Sequence, residues 1–144
     1  MKIAIINGAN LNMLGIREIE LYGTMTYQEM ISKLQEYTAD NGIEAEFFQS
    51  NHEGEIIDYI HSCYHRLEGI VINAGAYSHT SLAIMDALLA VSIPTVEVHL
   101  TDTGKREIFR RTSFIRLACL ATYQGEGLIS YQKAIRHLIE EAKK

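Results

Sequence analysis

Glu97 and His99 stand two residues apart in a β-branched run, Thr95-Val96-Glu97-Val98-His99-Leu100. In a strand that spacing turns both side chains to one face, where the carboxylate can hold one imidazole tautomer and favour its charged form. A lone strand histidine is usually just hydrogen bonded. A Glu-x-His alternation at a strand's carboxyl end points instead to a histidine that moves a proton. Just beyond it, Lys105, Arg106, Arg110 and Arg111 fall within seven residues. Two readings of that excess stay open, a focused anion site or a solvated basic helix. Arg17 and Tyr22 form a further pair, five residues apart, in the 18-residue stretch from Gly8 to Met25. Strand-to-helix connections usually take about two to six residues, so a stretch of this length reads as a functional lid. Leu11, Leu14 and Leu21 give that lid material to pack.

Something must hold these groups in one place. Apolar runs at Ile3 to Asn7, Ile43 to Gln49, Gly69 to Asn73 and Thr95 to Leu100 read as strands, with a weaker fifth at Ile115 to Thr122. The runs at Ile3, Gly69 and Thr95 are apolar almost throughout, as expected of central strands covered on both faces. Helical patterns lie between them. Thr26 and Glu29 have the spacing of a capping box, and Asn41-Gly42 supplies a stop, which predicts a helix over 26 to 41. Further helices are expected over Glu53 to Arg66, with Ile56, Ile57, Ile60 and Tyr64 on one face, over Thr80 to Val91 and over Leu128 to Lys144.

Strand alternating with helix five times predicts an α/β fold: a flavodoxin-like three-layer sandwich on a five-stranded parallel sheet of order 2-1-3-4-5. Ligands of such folds bind beyond the carboxyl ends of the strands, where the strand order reverses. The segments leaving the strands there are Asn7-Gly8-Ala9-Asn10, Asn73-Ala74-Gly75-Ala76-Tyr77-Ser78-His79-Thr80 and Glu97-Val98-His99-Leu100-Thr101. Bondable side chains converge on one edge.

Composition narrows the function. At 144 residues, 47% hydrophobic and 22% charged, the chain is expected to be a single catalytic domain, residues 1 to 144. A net charge of -5 argues against a nucleic-acid binder. No 18-residue apolar run predicts a membrane span, and no signal peptide is evident. Cys63 and Cys119 lack metal or disulfide spacing and read as reduced core thiols, which places the chain in the cytoplasm. Asn7-Gly8-Ala9-Asn10-Leu11-Asn12 matches neither the dinucleotide nor the P-loop glycine pattern, and its neutral asparagines lack the carboxylates of a receiver domain.

The segments Asn7-Gly8-Ala9-Asn10-Leu11-Asn12-Met13-Leu14-Gly15-Ile16-Arg17-Glu18, Leu21-Tyr22-Gly23, Phe48-Gln49-Ser50-Asn51-His52-Glu53-Gly54, Asn73 to Ser81 and Glu97-Val98-His99-Leu100 together resemble type II 3-dehydroquinate dehydratase. The resemblance runs in order over nearly the whole chain. It implies anti elimination of water from 3-dehydroquinate to 3-dehydroshikimate through an enolate, with no metal and no organic cofactor. It also implies a homo-oligomer, a dodecamer built as a tetramer of trimers.

Residue by residue, the resemblance makes Tyr22 the base, His99 the general acid supported by Glu97, and Asn10 an aid to the enolate. Substrate binding carries over to Asn73, His79, Asp86, Leu100, Thr101 and Arg110, with Arg106 second to Arg110. Asp86 would approach a neighbouring subunit's site. Free tyrosine titrates near pH 10, about three units too high. Arg17 is the expected remedy, since a cation about 4 Å away in an effective dielectric near 20 favours the phenolate by roughly 4 kcal/mol.

Some positions depart from the family pattern. Thr101-Asp102-Thr103-Gly104-Lys105-Arg106 stands where relatives more often carry Ser-Asn-x-His-Ala-Arg, which predicts weaker substrate affinity. Ala9 and Ile19 replace usual prolines, which predicts a less restrained lid. Two rival readings remain: a family member that binds small carboxylates without turnover, and a flavodoxin-like binding or signalling module.

Overall fold

The computed structural model describes all 144 residues. Its strands are β1 (Lys2–Asn7), β2 (Glu44–Gln49), β3 (Gly69–Asn73), β4 (Thr95–His99) and β5 (Ala121–Gln124). All neighbours pair in parallel, in the order β2-β1-β3-β4-β5. The flavodoxin-like expectation is met.

Period-two alternation explains the layers. Ile3 and Ile5 of β1, with Val71, Val96 and Val98, face Met30, Ile31 and Leu34 of α2 (Tyr27–Asp40) and Tyr131, Ala134, Ile135 and Leu138 of α5 (Leu128–Glu141). Ala4 and Ile6, with Ile70 and Ile72, face Ile56 and Ile60 of α3 (Glu53–Ser62) and Ile84, Ala87, Leu88 and Val91 of α4 (Leu82–Val91). β1, β3 and β4 are buried end to end but for Lys2, as their unbroken apolar runs require; β2 and β5 are half-buried edges.

Helix α2 begins as its sequence prescribes. Thr26 accepts from the Glu29 amide at 3.1 Å, and the Glu29 carboxylate accepts from the Thr26 amide at 3.3 Å.

Four boundaries differ from the sequence reading. The weak fifth strand is a 3-10 turn, Ile115–Ala118, followed by β5 at Ala121–Gln124. Ser113 Oγ caps the Arg116 amide, and Ile115 plugs the core from that turn. Helix α3 ends at Ser62, three residues before His65 takes a left-handed φ of 58°, and Tyr64 is exposed. Helix α4 starts at Leu82, capped by Ser81 Oγ on the Ile84 amide, and Gly75–His79 forms a 3-10 turn ahead of it. The last helix stops at Glu141.

The 8-to-25 stretch is ordered by elements of its own, a 3-10 turn Leu11–Met13 and the single-turn α1 (Ile19–Tyr22). Leu11 and Leu14 are buried and anchor it, whereas Leu21 is exposed. Gly8 lets this stretch lie directly on the segment leaving β3. A Cβ at Gly8 would sit 2.3 Å from the Ala74 carbonyl oxygen, with backbone on both sides of the collision. Gly8→Ala is therefore expected to force the two segments apart and to lower stability by about 1–3 kcal/mol, read as a shift of the denaturation midpoint. An unchanged midpoint would contradict this account of the contact.

Candidate active site

A cleft opens at the carboxyl ends of β1, β3 and β4. Asn10, Arg17, Tyr22, Asn73, His79, His99, Leu100, Thr101, Arg106 and Arg110 all line it. Glu97 stands behind His99, and Asp86 lies exposed on α4, outside the cleft of its own chain.

Strand β4 ends in the pair expected from its alternation. His99 Nε2 donates to Glu97 Oε1 at 2.9 Å, so Nε2 carries the proton and Nδ1 has no protein partner. Glu97 is fully buried. Burial alone would push its carboxyl up, but bonds from His99, Ser113 and Arg116 outweigh that and hold it at about 2. The Arg116 Nε bond is 2.9 Å and the Thr122 hydroxyl adds another at 2.8 Å. Ser113, Arg116 and Thr122 carried no signal in the sequence, because only the turn at Ile115–Ala118 and the pairing of β5 with β4 bring them to Glu97.

The lid corrects one expectation. Arg17 does not bond the Tyr22 hydroxyl; its guanidinium carbon lies 4.5 Å over the ring centre, a cation–π contact. The hydroxyl is instead met by Arg106, whose Nη1 donates to it at 2.8 Å. Arg106, expected to rank behind Arg110, thus holds the closest tie to Tyr22. Arg110 donates to Glu107 at 2.7 Å and lines the cleft beside it.

His79 Nδ1 bonds the Thr112 carbonyl at 2.6 Å. Burial draws its pKa below the ordinary histidine value, opposed by the Thr112 bond and reinforced by His99 and Arg110. A neutral ring donating from Nδ1 leaves Nε2 as an acceptor, suited to a ligand hydroxyl. Its ring lies near-parallel to that of His99, centres 6.2 Å apart.

Asn10 adopts a left-handed φ of 68°, and its amide is held by Asn51 Oδ1 at 2.9 Å, which leaves its side chain for the cleft. Gln49 braces the same turn by donating to the Gly8 carbonyl at 3.2 Å. Asp102 does not line the cleft. It caps the Gly104 amide at 3.0 Å and accepts from Gln124, whereas Thr101 and Thr103 of the same stretch line the cleft.

The two thiols are unpaired. Burial raises both, Cys119 to about 12. Cys63 is a core thiol as read, while Cys119 is only half-buried.

A family model described as dehydroquinase class II matches residues 1–139. The chain belongs to that family. It is 48% identical over 140 residues to the 3-dehydroquinate dehydratase of Sulfurimonas denitrificans, covering 97% of this chain and 88% of the relative. The enzyme of that name from Fusobacterium nucleatum is 49% identical over 143 residues, covering 97% of each. The crystal structure of a type II dehydroquinase from Butyrivibrio crossotus superposes with a TM-score of 0.95 at 48% identity, over 96% of this chain and 97% of that one. The family expected from the strand-end motifs is the family found, and its sheet order is the one seen here. No helix of this chain is long and apolar enough to cross a membrane.

Proposed function

We propose that this chain performs the dehydroquinase reaction, anti elimination of water from 3-dehydroquinate to 3-dehydroshikimate, with a base on the lid and an acid on β4. The observation that carries the reading is the Arg106 Nη1 bond to the Tyr22 hydroxyl, 2.8 Å, in the same cleft as the His99–Glu97 pair. Arg106 brings a charged donor to the phenol oxygen and Arg17 sets a second positive charge over the ring, so two cations face the oxygen that takes the substrate's proton.

The phenolate of Tyr22 takes the proton from the carbon beside the ketone. The electron pair left behind becomes an enolate, whose oxygen meets the Asn10 side chain directly or through a water. The enolate then collapses, the carbon–oxygen bond to the leaving hydroxyl breaks, and His99 gives that oxygen a proton, so that water departs. Glu97 balances the imidazolium before that transfer. Asn73, His79, Leu100, Thr101 and Arg110 hold the substrate's hydroxyls and carboxylate. Arg17, Arg106 and Arg110 put three guanidinium groups around the cleft against one carboxylate, Glu18, a balance suited to an anionic substrate.

Assembly belongs to the same reading. Asp86 is exposed on α4 between Leu82 and Leu89, which are 53% and 52% exposed, and Ile108, Phe109 and Leu117 are exposed as well. Apolar surface of that extent suits burial against other copies of the chain. We take the assembly to be a dodecamer, a tetramer of trimers, in the cytoplasm, with Asp86 reaching a neighbouring cleft. On dilution, mass by light scattering and activity per subunit are expected to fall together. Full activity from a monomer would overturn this part.

The reaction is tested by following the absorbance of the conjugated enone after 3-dehydroquinate is added. Growth of that absorbance is expected. A pure oligomer that binds the substrate without producing the enone would favour the carboxylate-binding rival; flavin or phosphate binding with no turnover would favour the signalling module.

A further inference from the structure

Behind Asn73 lies a hydroxyl that the reaction does not use. Tyr131, near the start of α5, is 0% exposed, and its ring packs in the core layer with Ile5, Val71 and Val98. A phenylalanine would fill that space. The hydroxyl instead reaches the carboxyl ends of β1 and β3, where Asn7 and Asn73 are register partners at the point of strand-order reversal.

Its bonds have a direction. Tyr131 donates to Asn7 Oδ1 at 2.6 Å and accepts from Asn73 Nδ2 at 2.9 Å. Asn73 Oδ1 in turn accepts from the Gly75 amide at 3.1 Å. A phenol has one proton to give. With that proton on Asn7, Tyr131 can only accept from Asn73, so the Asn73 amide must turn its nitrogen to Tyr131 and its oxygen to Gly75. The flipped amide would set oxygen against oxygen at one end and N–H against N–H at the other. Burial raises the pKa of Tyr131, the Asn73 bond pulling the other way, so the phenol stays protonated. One of the two Asn73 N–H bonds is used; the second remains for the cleft that Asn73 lines.

We propose that Tyr131 is a positioning residue that holds the Asn73 amide with an N–H donor towards the substrate. The subsite then selects an oxygen that can accept, a carboxylate or a hydroxyl lone pair. This rests on the reading of Asn73 as a substrate-binding residue.

The test is a double-mutant cycle on KM and kcat for 3-dehydroquinate with Tyr131→Phe, Asn73→Ala and the pair. Tyr131→Phe is expected to raise KM about ten-fold, the worth of one hydrogen bond, with kcat nearly unchanged. In the Asn73→Ala background it should add nothing. Asn7→Ala, which removes the acceptor of the Tyr131 proton, should raise KM in the same direction and serves if the Phe variant folds poorly. A KM unmoved by Tyr131→Phe and Asn7→Ala, or raised by the same factor with and without Asn73, would overturn the proposal while leaving the reading of Asn73 intact. If Asn73→Ala itself leaves KM unchanged, both fall.

Discussion

Tyr22→Phe is expected to lower kcat by about 10²- to 10⁴-fold, the usual worth of a general base, with little change in KM. The geometry separates the two effects. Phenylalanine keeps a ring beneath Arg17, so the 4.5 Å stacking contact that helps seat the lid survives. What disappears is the oxygen that accepts from Arg106 at 2.8 Å. Arg106 then retains only its looser approach to Glu107, 3.9 Å. The two arginines also rank differently. Arg106→Met removes a charge-assisted hydrogen bond to the reacting oxygen, worth about 1.5–3 kcal/mol. Arg17→Met removes a cation–π contact, worth about 0.5–2 kcal/mol. Steady-state kcat should therefore fall in the order Tyr22→Phe, Arg106→Met, Arg17→Met, from the deepest loss to the shallowest. An Arg17 variant more damaged than the Arg106 variant would return to Arg17 the task first read for it.

That reassignment shows where sequence reasoning stops. Arg17 and Tyr22 are five residues apart, and proximity along the chain made Arg17 the natural partner. Arg106 is 84 residues from Tyr22, and only the fold of the lid over the segment after β4 joins them. Periodicity carried the rest well where an element answers to its own residues. The apolar runs of β1, β3 and β4, the Thr26 capping box and the Glu97-x-His99 alternation each have a local physical cause, and each was legible. The Ile115 to Thr122 run was not, because Ile115 is buried from a 3-10 turn and not from a strand, and an apolar residue reads alike in both. The same turn delivers Arg116 to Glu97, so missing the turn meant missing the partner. Asn7 and Asn73 were seen at strand ends, but Tyr131, in a helix far along the chain, looked like any core aromatic.

Glu97→Gln is expected to weaken both the fold and the acid step, and acidification distinguishes the two losses. In the folded chain the Glu97 carboxyl is held at about 2, against an ordinary value of 4.5. A group whose folded pKa is depressed contributes stability that is fully present above its unfolded pKa and is lost as pH falls through the folded one. That shift corresponds to about 3 kcal/mol at neutral pH, and because Glu97 is fully buried no large share is screened by solvent. Glutamine would also turn an NH2 group on two of the four donors, His99, Ser113, Arg116 and Thr122, that now surround the carboxylate. Denaturant unfolding at one fixed protein concentration should show the variant about 3 kcal/mol less stable at pH 7, and the gap to the parent should narrow below about pH 4.5 and close near pH 2. A gap that stays constant through that window would mean that shape, not charge, makes Glu97 matter. At neutral pH kcat should fall by about 10²-fold or more, since the His99 imidazolium loses the anion that balances it. Stability responds to all four donors and kcat only to His99. Arg116 is one of the four donors and its side chain is 38% exposed, so Arg116→Gln should reproduce only a part of the stability loss while sparing more of kcat, and equal damage to kcat from both variants would mean that Arg116 acts on His99 through Glu97 and not on the fold alone.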